Sequence, residues 1–464
     1  MPLALDDLAG LNRTEVHDLP IVDGRDTAAR LLAHAERPLS LAGMRHSQGG
    51  HTMVEHGRLL QTVMLNQTIA VDAAAGIVAV DAGVTWSELH RVLVKHGLCP
   101  KVHQSSPHFT VGGSVSVNCH GRDPQAGPLS TTLRSLRVLC GDGQERRTVP
   151  GEDLFRAVVG GYGSCGLVLQ AELEVMADQV LEQKAQLGGL PALQTCLLKL
   201  ADEPPGAGGA TQMFYAWLNC ENHGGLAPFW EQALLVSYVE TATQASRLLT
   251  EGSWGESEML RAAWSAARLR PQARTRVWQE LRNEFIPTPP RRPKPPQYRL
   301  NWMRAAVDFT GHHDANSSDI LLEYFLPLDA DFESRLRELG ARLSPVLNIL
   351  STTVRLVRQD PSPAPYLSYC ADRPMVCVAI DVAVATGPDA QGRPVPTPAT
   401  RDCVNAATAY VLDQGGSYYL PYYGFATEAL FRQAYAGHQQ QRDAIRTYNP
   451  DRRYWNNFLE QYLR

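Results

Sequence analysis

The sequence predicts a two-part protein of mixed helix and sheet, an α+β chain. Three observations carry this. A chain of 464 residues is longer than one hydrophobic core usually serves. Up to about residue 176, short strand patterns alternate with helices and glycine turns. From 177 the texture shifts to longer helical patterns, and strand-like text returns near 318.

The elements follow in order. "RPLSLAG" (37–43) reads as a short buried strand running into the turn "GMRHSQGG" (43–50). "IAVDAAAGIVAVDAG" (69–83) holds two alternating stretches around an Ala/Gly turn, a hairpin-like pair. "TWSELHRVLVKHG" (85–97) is a helix with Thr85 as N-cap, Glu88 completing a capping box, and Gly97 as its end. "FTVGGSVSVNCHG" (109–121) reads as a glycine turn followed by an alternating small-residue stretch. "LRSLRVLCGDGQERRTV" (133–149) is strand, Asp-Gly turn, strand. "EDLFRAVVGGYGSCGLVLQAELEV" (152–175) is a short helix, a glycine turn and a strong strand. Within 177–300, "FWEQALLVSYVETATQASRLL" and "GESEMLRAAWSAARLRPQ" are expected helices. "IPTPPRRPKPPQYR" (286–299) is expected to be an extended surface loop, with a lid as its functional alternative. "SDILLEYFLPL" (318–328) and "MVCVAIDVAVA" (375–385) are strands, and 444–463 is a helix, an Asn-Pro turn and an aromatic helix.

Composition narrows the function classes. Apolar content of 44% and charged content of 20% suit an ordinary soluble globular chain, and a net charge of -5 gives no reason to expect nucleic acid. Nine scattered cysteines without a C-x-x-C pair favour free thiols over disulfides or zinc. The N-terminus lacks a basic region and has Asp6 and Asp7 in its apolar stretch, so no signal peptide is read. No apolar run reaches membrane-spanning length. A cytoplasmic location is the expectation.

"GYGSCG" (161–166) matches the dinucleotide fingerprint G-x-G-x-x-G, but its context runs helix, glycines, strand. A Rossmann turn runs strand, glycines, helix. The glycines at 43–50, 112–113 and 160–166 therefore serve another geometry, in which backbone approaches something flat or anionic.

The succession "LAGMRHSQGG", "VDAGVTWSELHRVLVKHGL", "TVGGSVSVNCHG" and "GGYGSCGLVLQAELEV" resembles the FAD-binding half of the vanillyl-alcohol oxidase superfamily, the FAD-linked oxidases with a PCMH-type domain. Within it, the alditol oxidase, cytokinin dehydrogenase and decaprenylphosphoryl-ribose oxidase groups are the most similar in motif. The resemblance implies a two-part PCMH-type FAD-binding domain at 1–176, a substrate domain with a large antiparallel sheet flanked by helices at 177–410, and a segment at 411–464 returning to the first. It implies FAD contacts from Gly43, Met44, Arg45, His46, Ser47, Gln48, Gly49 and Gly50. A second group is Thr110, Gly112, Gly113, Ser114, Val117, Asn118 and Gly121, and a third is Gly161, Gly163, Gly166 and Val168.

His46 matches the family histidine that bonds a flavin methyl group, so covalent FAD is expected, with His51 as the alternative residue. Arg45 stands where the family often has glycine. No cysteine occupies the "SSPHFTVGG" position that would make a second link. The implied reaction takes a hydride from a substrate CH–OH onto flavin, with oxygen or another acceptor finishing the cycle. Amine (C–N) oxidation is the alternative, and a non-catalytic flavin carrier is the rival class. Candidate catalytic residues are Asp381, Arg355, Tyr422, Tyr423 and His120. Asn118 and His120 are expected to face flavin and substrate. Arg355 matches the alditol-oxidase arginine, although Thr353 replaces its glutamate. Asp381 interrupts an apolar strand, which is costly unless the carboxylate is paired or used. Contact with Arg355 or a role as base are its two readings. The tyrosines of "YYLPYYGF" (418–425) imply a flat or partly apolar small-molecule substrate. No metal ligand set is read.

Overall fold

The computed structural model describes residues 2–204, 211–221, 229–249, 258–270, 273–289, 292–304 and 312–464. Strands are β1 (Leu3–Leu5), β2 (Thr14–Val16), β3 (Leu39–Ala42), β4 (Arg58–Gln61), β5 (Ile69–Asp72), β6 (Ile77–Asp81), β7 (Leu98–Pro100), β8 (Leu133–Cys140), β9 (Glu145–Thr148) and β10 (Gly166–Ala177) in the first part. The rest are β11 (Val180–Gly189), β12 (Thr211–Leu218), β13 (Gln232–Glu240), β14 (Gln297–Tyr298), β15 (Ser317–Pro327), β16 (Asn348–Val357), β17 (Met375–Pro388), β18 (Pro394–Pro396) and β19 (Ser417–Tyr418). Among the described residues, two large antiparallel sheets form beside the small antiparallel pair β1–β2. One runs β5-β6-β10-β8-β9, with β7 also on β10; the other runs β14-β11-β13-β12-β16-β17-β15-β19. The pair β3–β4 is parallel and separate. The architecture is α+β, as expected.

The hairpin β5–β6, the β8–β9 pair and the β10 strand lie where the alternation put them. Thr85 caps the helix Trp86–Leu93 in a reciprocal box with Glu88, and Gly97 ends the following turn in the left-handed region (φ 66°). Two elements differ from expectation. Residues Val111–Val117 form a short helix capped by Thr110, because that hydroxyl accepts from Gly113 N and supplies the N-terminal signal the alternation concealed. "FWEQALLVSYVE" is not a helix: Gln232–Glu240 is a strand between β11 and β12, buried on both faces, so its apolar run carries no amphipathic period. The other expected helix is present as Glu258–Leu269, and residues 255–257 and 271–272 of that stretch lie outside the described residues.

Three helices, Leu190–Asp202, Phe332–Leu343 and Pro398–Asp413, cover one face of the large sheet through Leu193, Leu197, Leu336, Leu339, Val404 and Val411. The opposite face is covered by Arg274–Phe285 at one end and by the first part of the chain at the other. After residue 427 the chain leaves the large sheet. Phe431, Tyr435, Ile445, Tyr454 and Phe458 enter the core built from β5–β10. A late segment is thereby held against the first 176 residues, and the large sheet is brought to face them. Of 286–299, residues 290–291 lie outside the described residues. Lys294 pairs with Glu284 at 2.6 Å, and Gln297–Tyr298 add a strand to β11. None of the described residues there lines the cleft discussed below.

Candidate functional site

A cleft opens between the first part of the chain and the large sheet. The loop 43–48 lines one side, and the turn and helix at 109–117 line another. Tyr162, Gly163, Leu167 and Val168 add a third side, with Leu321, Tyr419, Pro421 and Tyr422 from later in the chain.

Close backbone approach builds the cradle. A Cβ on Gly43 would sit 2.4 Å from Thr110 Oγ1, and one on Gly49 would sit 2.4 Å from the Tyr422 carbonyl. Only glycine lets this loop touch both the helix start and the C-terminal segment. Arg45 holds φ 58°, a left-handed conformation costly for a side chain and the reason glycine suits this position. Its guanidinium bonds the Asp6 carbonyl at 2.6 Å. Gln48 N donates to Pro421 O at 2.9 Å, and Gln48 Oε1 accepts from Leu321 N at 2.9 Å. Gly50 N reaches Asp7, whose carboxyl is pushed up to about 6 by burial and by neighbouring Asp6. The loop is fixed from outside and open inside. Among the described residues, the amides of 44–47 donate to no protein group. His46 Nδ1, Ser47 Oγ, Gln48 Nε2, Thr52 Oγ1 and Gln104 Nε2 are likewise buried without partners. Buried polar groups are nearly always satisfied, so this set fits a polar ligand with several acceptors, such as a pyrophosphate.

Of the expected cofactor contacts, Gly43 through Gln48, Thr110, Gly112, Gly113, Ser114, Val117, Gly163 and Val168 line the cleft. Gly49 and Gly50 support the loop from behind. Four residues are placed elsewhere. Asn118 does not face the cleft: its amide donates to Asp360 at 3.0 Å and its carbonyl accepts from Ser130 N, locking two loops together. Gly121 lines a separate small hollow with Lys101, Arg122 and Arg299. Gly161 is confined by the Ala157 carbonyl in a tight turn, and Gly166 pairs with Cys140 inside the sheet. Tyr419, from the tyrosine-rich 418–425 segment, lines the cleft as well, and Phe109, Tyr162 and Leu321 line it without having been expected to. His51 lines it too, gripped between Tyr162 (5.0 Å) and Phe458 (4.7 Å).

The cleft-facing side of the large sheet carries the titratable groups. Register aligns Arg355, Cys377 and Phe325 in one row, Thr353, Ala379 and Glu323 in the next, and Ser351, Asp381 and Leu321 in a third. Arg355 and Asp381 thus share a face but stand four residues apart along paired strands, roughly 13 Å. Arg355's charge acts on Glu323 instead. Asp381 is half-buried beside Leu321, which lines the cleft. Tyr422 lines the cleft, whereas Tyr423 packs against the opposite core and accepts from Arg401 at 2.9 Å. His120 stands behind Tyr419.

Glu323, missed in the sequence, is the centre of this region. It is 5% exposed. Its Oε1 accepts from His120 Nε2 at 2.6 Å and from Cys377 Sγ at 2.7 Å, and its Oε2 accepts from Tyr422 at 2.7 Å. Burial raises its pKa, but His120, Arg355 and the donated hydrogen bonds prevail and hold it at about 2. Burial and the Glu323 carboxylate push the Tyr422 hydroxyl well above its ordinary range. His120, Glu323 and Cys377 have ligand atoms within 4.8 Å of one another. The 2.6 Å contact between His120 Nε2 and Glu323 is a hydrogen-bond length, and it suits a shared proton rather than an intervening ion. A depressed carboxyl stabilises the fold above its unfolded range near 4.5, and that stability is lost as pH falls toward 2. The unfolding free-energy gap between wild type and Glu323→Gln is therefore expected to be widest above about pH 4.5 and to close toward pH 2, as measured by denaturant titration. A gap constant across that range would show that the carboxylate's charge carries no stability.

Residues 26–148 match the family model described as an FAD binding domain. The chain is 32% identical over 137 residues to decaprenylphosphoryl-β-D-ribose oxidase of Mycolicibacterium smegmatis, covering 29% of this chain and 30% of that one. It is 36% identical over 119 residues to alditol oxidase of a Streptomyces species, covering 26% and 29%. With cytokinin dehydrogenase 9 of Oryza sativa it shares 27% identity over 145 residues, covering 30% and 28%. The chain spans about a third of the length of these curated relatives.

Proposed function

Because this chain carries an FAD-binding domain of the FAD-linked, PCMH-type oxidase superfamily, we propose that it is an FAD-dependent oxidoreductase acting on a CH–OH group of a small, partly apolar substrate. The observation that carries the reading is the open inner side of the 43–48 loop, with unpartnered amides and side-chain groups around the cleft. The proposed division is an FAD-binding part at 1–176, a substrate part at 177–410 and a returning segment at 411–464. Bound there, FAD supplies the two-electron acceptor for a substrate C–H bond.

The chain's own residues do the rest. Amides 44–47 hold the anionic middle of the cofactor. His46, beside Phe109 at 4.4 Å, provides a ring nitrogen for a covalent link to the flavin. Asp381 takes the substrate proton, and Arg355 keeps a positive charge beside the buried carboxylate and hydroxyl groups. Tyr419 and Tyr422 form the aromatic wall that excludes water from the reacting bond. Molecular oxygen or another acceptor then restores the oxidised enzyme. Amine oxidation uses the same groups, and both chemistries occur among the relatives' names.

Purified protein mixed anaerobically with panels of primary alcohols and amines is the test. Flavin absorbance bleached by members of the alcohol panel supports the reading. Bleaching by amines alone would move the substrate class. Protein that takes up no FAD would overturn the assignment.

A further inference from the structure

We infer that Glu323 sets the direction of the Tyr422 hydroxyl, so that the substrate pocket meets a hydrogen-bond acceptor and selects ligands presenting an O–H or N–H there. The inference rests on the flavin-oxidoreductase reading for its substrate, but not for the hydroxyl's direction. Glu323 spends Oε1 on two donors, His120 and Cys377, which leaves Oε2 for Tyr422. An ionised carboxylate can only accept, so the one Tyr422 proton points into the sheet. Tyr422 lines the cleft. What the hydroxyl still offers a ligand is a lone pair. Tyr419, on the same wall, has its proton committed to the Val117 carbonyl at 2.9 Å, so it too has only a lone pair to give. Ala379, opposite Glu323 in the register, is small and leaves the carboxylate and its donors room on this face.

The consequence is a preference for the reduced partner of the reaction. An alcohol or amine donates to Tyr422. The carbonyl or imine left after two-electron oxidation has no proton to give at that atom, and two acceptors face each other. Binding therefore weakens as the product forms. A positioning residue, Glu323, makes this distinction by fixing the polarity of a residue that touches the ligand.

Glu323→Gln should reverse it. With His120 Nε2 and Cys377 donating as they do to the carboxylate, the glutamine carbonyl is expected to turn to them, which puts its NH2 against Tyr422 and sends the hydroxyl proton into the cleft. Protein labelled with tyrosine carrying 13C at Cζ reads this directly, with the Tyr422 resonance identified by its loss in Tyr422→Phe. The resonance is expected to shift on Glu323→Gln. With FAD bound, wild type is expected to hold benzyl alcohol roughly tenfold more tightly than benzaldehyde, the worth of one hydrogen bond. Glu323→Gln should invert that order, and Tyr422→Phe should abolish the difference even if the glutamine variant fails to fold. A Tyr422 resonance indifferent to Glu323→Gln, or a wild type that prefers benzaldehyde, overturns the inference. The spectra are taken with and without FAD. A chain that takes up no flavin yet shows the Glu323-dependent shift sinks the flavin reading and leaves the hydroxyl's direction standing.

Discussion

His46→Ala protein is expected to fold, to bind FAD, and to release all of it on acid precipitation, leaving a colourless pellet where wild type leaves a yellow one. Two separable groups of contacts lead to this result. On the proposed reading the unpartnered loop amides at 44–47 would hold the cofactor through backbone groups, which a side-chain change does not remove. The loop itself is anchored by Gln48 to Pro421 and Leu321, and by Gly50 to Asp7, none of which involves His46. The imidazole is what a covalent link needs. Burial pushes its pKa below the ordinary histidine value, so the ring is neutral and carries a nitrogen lone pair at neutral pH. Its Nδ1 is buried without a protein partner. The loss of covalent flavin should be complete. A pellet that stays yellow moves the link to His51, the other histidine lining the cleft, although its clamp between Tyr162 and Phe458 leaves that ring little freedom to approach a methyl group.

Asp381→Asn is expected to slow bleaching of the flavin absorbance by about a hundredfold to ten-thousandfold in anaerobic single-turnover mixing, the usual contribution of a positioned base. The measurement uses the alcohol or amine that wild type turns over. The substitution keeps shape and hydrogen-bond reach, and removes only the capacity to take a proton. Asp381 lies opposite Leu321, on the strand face that looks toward the cleft. Glu323 is its diagonal neighbour across β15 and β17, and at a pKa of about 2 it is too weak a base for the task. Reoxidation by oxygen should change little, since the proton has left by then. Bleaching at the wild-type rate would make Asp381 a structural carboxylate, and the proton's destination would be sought at Tyr422 or His120.

The missed residue was legible in principle. "SDILLEYFLPL" places Glu323 in an apolar strand as "VCVAIDVAV" places Asp381, and the cost of burying a charge applies equally to both. What no local pattern supplies is the partner. His120 lies 203 positions away and Tyr422 lies 99 away, so only strand register and the returning C-terminal segment bring them to one carboxylate. Tyr422 and Tyr423 are adjacent in sequence, yet one lines the cleft and the other bonds Arg401 in the opposite core. The chain bends at Tyr422, and sequence alone does not say which of the two side chains turns to which side.

Residue types and their spacing were enough to establish the mixed α+β class, the capped helix after Thr85, the hairpins, and the tight glycine loop at 43–50, because capping boxes, alternation and turn glycines act within a few residues. Only the tertiary structure decided that 232–240 is a strand, since burial on both faces erases the period that would identify it. It also decided that Asn118 ties loops together through Asp360 and that Glu323 gathers His120, Cys377 and Tyr422. Those outcomes depend on which distant group arrives to satisfy a buried charge or amide, and that is settled by sheet register and packing.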